Sequence, residues 1–116
     1  MILPLLAAVT PVPAGIDAQT QADIRCVVVL SAAVSNAPTE MLKAQVGAGM
    51  LYFLGRIDGR HPGLDLASAV SAAIKDQAAL KDAFDKDRAR CGEEMRQVSA
   101  KLVTVGGTVR AIAGAK

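Results

Sequence analysis

Apolar residues recur along most of this chain at helical rather than strand spacing. From about Asp17 to Asn36, Ile24, Val27, Val28, Ser31 and Val34 repeat every three or four positions, and Cys26, Leu30 and Ala33 widen the same face. Asp17 suits the helix cap, and Ser35-Asn36-Ala37-Pro38 reads as a stop. A second helix is expected to start at Pro38 or Thr39, with Glu40 in its first turn, where the helix dipole favours an acid. Its stripe is Leu42, Val46, Met50, Phe53, Leu54 and Ile57, at spacings of four, four, three, one and three. That stripe ends near Asp58-Gly59, and Arg60-His61-Pro62-Gly63 forms a loop. A third, alanine-rich helix, capped by Asp65, carries Leu66, Ala69, Val70, Ala73 and Ile74. Its end is open, since Lys75 to Lys86 holds neither Gly nor Pro; a break near Asp76 or Gln77 fits a compact body. The fourth covers roughly Leu80 to Val105, with Phe84, Cys91, Met95, Val98, Leu102 and Val105 on one seam and Arg88 in its skipped position. Gly106-Gly107 ends or weakens it, leaving a tail that either adds one more helical turn or frays. Val27 to Val29 resemble a strand only locally. The expected fold is all-α: a small up-and-down four-helix bundle with short connections, stapled by one disulfide.

The N-terminus changes the picture by suggesting a compartment. Met1 to Ala14 reads MILPLLAAVTPVPA, an apolar stretch over residues 2–9 broken only by Pro4. It is far shorter than the roughly 20 residues of a membrane span. A short apolar run followed by turn-formers and small residues has the grammar of a signal peptide, although no Lys or Arg precedes it. Val12-Pro13-Ala14 and Ile16-Asp17-Ala18 both offer a cleavage site. The expected organisation is a signal peptide over 1–14, truncated or trimmed at its start, and one helical domain over 15–116. The expected location is periplasmic or secreted. No later run reaches membrane-spanning length, so no stable membrane span is expected.

Export gives meaning to the cysteines. Cys26 and Cys91 are the only two, one on the first apolar seam and one on the last. In an oxidising compartment two such thiols are expected to pair. The staple matters because the core is thin: 52% of the 116 residues are hydrophobic, but aromatics make up only 3%. Two cysteines and one distant histidine do not supply a zinc set, and neither C-x-x-C nor a haem-attachment motif is present. No metal or cofactor is therefore expected.

Charge is balanced at a formal +2, from 13 basic and 11 acidic residues. Lys86, Arg88 and Arg90 come nearest to a basic cluster, but Asp85 and Asp87 interleave with them. Nucleic-acid binding, which usually shows a basic stripe and stacking aromatics, is not expected. Glu93-Glu94 and the group Asp82, Asp85 and Asp87 read as solvated helix faces.

The segment Tyr52-Phe53-Leu54-Gly55-Arg56-Ile57-Asp58-Gly59-Arg60 stands out. Tyr52, Arg56 and Arg60 share a helix face, with His61 just beyond. One reading is an anion- or partner-binding surface built on arginine forks. The other, which is favoured, is an internal clamp, with Arg56 stacked on Tyr52 or reaching a carboxylate such as Asp65. His61 reads as a solvated loop residue with no nucleophile beside it. Gly47 and Gly55 lie two turns apart; close helix approach and a binding groove are the competing reasons for them. No G-x-S-x-G, P-loop or H-E-x-x-H motif occurs, and no catalytic residue is assigned.

The cysteine in the first helix, Tyr-Phe-Leu-Gly-Arg-x-Asp-x-Arg, Pro62-Gly63-Leu64-Asp65 and Arg90-Cys91-x-Glu-x-Met together resemble a group of small exported proteins of proteobacteria. The resemblance spans most of the chain beyond residue 14. It implies export and the disulfide but supplies no catalytic residues. A looser likeness, of type alone, is to periplasmic acid-stress chaperones. The functional expectation is a non-enzymatic periplasmic protein acting through protein–protein or envelope contacts. Its partner is an unidentified protein or a second copy. Leu51 and Tyr52 on one flank, and Val103 and Ile112 on another, serve either such association or the monomer core. The alternatives are a chaperone-like stress protein and a small anion or ligand binder using Arg56, Arg60 and His61.

Overall fold

The computed structural model describes residues 16–79 and 82–114. The expected signal segment, residues 1–14, lies outside them, as do Leu80 and Lys81 at the junction of the last two helices. Four helices follow in order: α1 (Ala18–Asn36), α2 (Glu40–Arg60), α3 (Leu66–Ala79) and α4 (Ala83–Gly114). Among the described residues there is no strand.

The helix starts follow from their caps. Asp17 accepts the Thr20 amide at 3.2 Å, Thr39 the Leu42 amide at 3.1 Å, and Asp65 the Ser68 amide at 3.1 Å. Each side chain satisfies an amide that a first turn leaves free. Asp82, just before α4, has φ 70°, a left-handed conformation that Asp tolerates better than most residues.

α1 is the central helix, packed against each of the other three. Ser31 meets Met50 at one end and Asp23 meets Arg60 at the other, so α1 and α2 run antiparallel. The core is Ile24, Cys26, Val27 and Leu30 of α1, Phe53 and Ile57 of α2, Ala73 of α3 and Cys91 of α4. Cys26 and Cys91 form a disulfide with Cα atoms 5.5 Å apart, joining the first helix to the last. The all-α bundle and its staple are thus as the sequence indicates.

Four details differ. α3 continues to Ala79, past the expected break, because nothing in its sequence interrupts it. Ile74 is not core: half of its surface stays exposed, as only the Ala73 side of α3 meets α1. α4 runs to Gly114, straight through Gly106-Gly107, since glycine weakens a helix without breaking it as proline does. With 32 residues it is about 48 Å long, whereas α1 has 19 and is about 28 Å. The seam on α4 is therefore core only where α1 is there to meet it. Cys91 is buried and Met95 and Val98 are half-buried, but Leu102 and Val105 are exposed.

The inward position before Cys91 also differs from expectation. Asp87, not Arg88, faces the core, one turn ahead of the disulfide. Arg88 points outward and pairs with Asp85.

Candidate functional site: two buried carboxylates flanking the disulfide

Two carboxylates lie in the interior beside the disulfide, each held by arginines from other turns or helices. Asp23 of α1 is fully buried. Arg56 of α2 grips it with two prongs, Nε to Oδ2 at 3.2 Å and Nη2 to Oδ1 at 3.1 Å. Arg60 adds Nη1 to Oδ2 at 2.8 Å, and Gln19 donates to Oδ1 at 3.3 Å. The planar guanidinium matches the carboxylate in a way a lysine does not.

Arg56 is the hub. Its Nη1 donates to the Tyr52 hydroxyl at 2.7 Å and to Glu94 Oε2 of α4 at 3.3 Å. Its guanidinium carbon lies 5.2 Å from the Tyr52 ring centre and 5.8 Å from that of Phe53. Burial works against its charge. The Tyr52 hydrogen bond and the charges of Asp23 and Glu94 outweigh it, holding Arg56 above its already high ordinary pKa. Glu94 Oε1 is buried and has no hydrogen-bond partner among the described residues.

The second cluster centres on Asp87. Its Oδ2 accepts from Arg25 Nε at 3.1 Å and Gln77 Nε2 at 2.8 Å, and its Oδ1 from Arg90 Nη2 at 3.1 Å. Arg90 Nη2 also donates to the Ala22 carbonyl at 3.1 Å. One carboxylate thus ties α1, α3 and α4 together. Burial tends to raise the Asp87 pKa, but Gln77, Arg90 and Arg25 together bring it below the usual carboxylate range.

That direction fixes a pH dependence. A carboxyl depressed in the folded state contributes stability above its unfolded pKa and loses it as pH falls through the folded value. Asp17 and Asp65, lowered by their bonds to Thr20 and Ser68, have the same sign. The urea midpoint is expected to be flat between about pH 5 and 7 and to fall below about pH 4. Asp87→Asn is expected to be less stable at neutral pH and to lose less on acidification. A midpoint that rises in acid, or an unchanged acid slope in the variant, would contradict this.

The expected binding residues are brought together, but toward the protein itself. Tyr52 and Arg56 bond each other, Arg60 bonds Asp23, and His61 Nε2 lies 3.1 Å from Asp17 Oδ1. The partner of Arg56 is Asp23, not Asp65, because Asp65 turns to its own helix start at Ser68. His61 is half-buried beside the α1 cap rather than free in the loop. Asp87 and Glu94 are not solvated faces; both point toward neighbouring helices. Close helix approach does not explain Gly47 and Gly55: nothing lies within 4 Å of where a Cβ would sit on either. The close approach is at Gly49, where an added Cβ would collide with the Met95 thioether.

Asp23 and Arg25 are not singled out by sequence, which marks Gln77 only as a helix break and Asp87 only as a solvated acid. A signal existed: Asp23 lies three residues before Cys26, and Asp87 four before Cys91, so both share the cysteines' inward faces.

Two clefts are more open. One, of about 180 Å³, lies between α1 and α3 near Ile24 and Ala73. The other, of about 360 Å³, lies between α2 and α4, lined by Gln45, Leu51, Tyr52, Met95, Val98 and Leu102 among others. Neither is lined by Arg56, Arg60 or His61. Among the described residues no three of His, Cys, Asp and Glu converge as metal ligands, and no helix is long and apolar enough to cross a membrane. Comparisons with protein-family models, curated proteins and solved structures found no match.

Proposed function

We propose that this is a non-enzymatic extracytoplasmic protein, exported to the periplasm, that acts through contacts with another protein or the envelope. The carrying observation is the division of its surface. The arginines that sequence offered for ligand chemistry are bonded to carboxylates of the same chain. The largest group of exposed apolar side chains, Leu102, Val103, Val105, Val109 and Ile112, lies along the end of α4, with Leu51 of α2 nearby across the cleft, whereas Met41, Leu42, Ile74 and Phe84 are exposed elsewhere. Exposed apolar groups gathered on one region mark an interaction surface more often than scattered ones do. The disulfide is in keeping with an oxidising compartment.

A photo-crosslinking residue at Leu51 or Leu102 is expected to capture a defined partner in the periplasm. One at Lys75, on the exposed side of α3, is expected to capture none. Equal labelling from all three positions, or none from any, would overturn the reading.

A chaperone-like stress role is a second reading, favoured by Asp87, which ties α1, α3 and α4 together. Acid protonation of Asp87 would loosen α3 from α1 while the disulfide keeps α1 and α4 joined. Protection of an aggregating client at acid pH supports it, and absence of protection removes it. The anion-binding reading is the weakest, because Arg56 and Arg60 already hold Asp23 between them.

A further inference from the structure

The contact surface on α4 is part of a regular seam that outruns its own bundle. Met95, Val98, Leu102, Val105, Val109 and Ile112 follow one another at alternating spacings of three and four, the repeat of a coiled-coil stripe. Met95 and Val98 form the wall of the cleft against α2, and Leu102 stands at its edge. Beyond it, Leu102 is 65%, Val105 58%, Val109 57% and Ile112 70% exposed. One helix therefore carries both a lined groove and an unpartnered apolar tip.

We infer that the occupant of this surface is a second copy of the chain, paired antiparallel along α4. The inference rests on the contact reading above and names its partner. The stripe is self-complementary about a point between Leu102 and Val105. Turned end for end, it sets Leu102 opposite the partner's Val105, Val98 opposite the partner's Val109, and Met95 opposite the partner's Ile112. Each exposed tip then seats its Val109 and Ile112 in the other copy's α2–α4 cleft. That cleft, at about 360 Å³, is more than twice the roughly 150 Å³ of an engineered cavity that admits benzene. A parallel pair would set tip against tip and leave both clefts empty.

The flanks agree with this arrangement. Ser99, Gly106 and Ala113 recur every seven residues beside the stripe, which lets two helices approach closely. A Cβ at Gly106 would meet only the far end of Arg110, at 3.8 Å, so nothing among the described residues explains a glycine there. In this register Lys101 falls level with the partner's Gly106, so no like charges oppose each other. A lipid surface fits less well. The side of α4 away from the stripe carries only Arg96 and Arg110 among Ala100, Thr104, Gly107 and Ala111, a sparser charge than the face of an interfacial helix, and this stretch has no aromatic anchor.

Sedimentation equilibrium of the oxidised full chain tests the inference. The expected result is a monomer–dimer equilibrium with Kd in the range of about 1–100 μM. Val105→Lys is expected to weaken it at least tenfold. Val103→Lys is expected to leave it unchanged, since Val103 is 72% exposed but lies about a quarter-turn off the stripe. Circular dichroism confirms that both variants remain helical. Spin labels at Ala113 of the two copies are expected about 28 Å apart along the axis, against near contact in a parallel pair. A chain that stays monomeric at about 500 μM, a dimer indifferent to Val105→Lys, or closely spaced labels each overturns the inference. A monomer that binds vesicles of anionic phospholipid through Leu102 also overturns it, but leaves the envelope-contact reading standing. A monomer that yields no periplasmic crosslink from Leu51 or Leu102 overturns both.

Discussion

Replacing Cys26 and Cys91 with serine is expected to lower the unfolding free energy by about 4 kcal/mol. The bridge closes a loop with a sequence separation of 65, and the entropy it removes from the unfolded chain gives that figure in the chain-entropy model. The corresponding fall in Tm is roughly 15–30 °C for a domain of this size. The native contacts offer little compensation. The aliphatic core is small, with Phe53 its one fully buried ring, and α4 meets the rest mainly near Cys91. The measurement is urea denaturation of the oxidised protein beside the double serine variant, with the reduced wild type as a second control. A loss below about 1 kcal/mol would mean that packing, not the cross-link, holds α4 in place.

The second large effect belongs to Asp23→Ala. Removing one member of a buried ion pair leaves its partner's charge uncompensated, which costs about 3–5 kcal/mol when both are fully enclosed. Here Arg56 and Arg60 keep 25% and 35% of their side-chain surface, so water relieves part of that penalty. The expected loss is about 2–3 kcal/mol, after allowing for this screening. Arg60→Ala alone is expected to cost less, because Arg56 still holds Asp23 with two prongs. Combining Asp23→Ala with Arg56→Met is expected to cost less than the sum of the single losses, since the double variant removes the Arg56 charge that Asp23→Ala strands and leaves Arg60 and Glu94 to the water that reaches them. A double variant whose loss equals the sum of the single losses would show that Asp23 and Arg56 act independently. The hydrogen bonds seen between them would then contribute no coupling.

The helices were legible because their signals are local. Asp17, Thr39 and Asp65 cap where a capping side chain must stand, and the stripes on α1 and α2 have the period of the helix they form. The disulfide was legible through arithmetic: two cysteines, both on apolar faces. The Tyr52–Arg60 segment announced a cluster, since residues four apart on a helix must share a face. What it clamps was not announced. Asp65 is the nearest acid in sequence beyond the loop, yet Arg56 reaches Asp23, 33 residues away. Asp87 and Glu94 looked like solvent-facing acids for the same reason: their partners lie on other helices.

The end of α4 marks the boundary most clearly. Leu102, Val105 and Ile112 carry the same apolar pattern as the buried part of the seam, and pattern alone assigned Leu102 and Val105 to a bundle seam. Helix length decided otherwise, because α4 extends past the helices that would cover them. By itself the sequence determined the helices, their caps and the pairing of the cysteines. Each of those depends on residues within a turn or two, or on a count. Only the tertiary structure decided which acids meet which arginines and where the apolar seam runs out of neighbours. Those outcomes depend on the relative lengths and placement of whole helices, and no local stretch of chain encodes them.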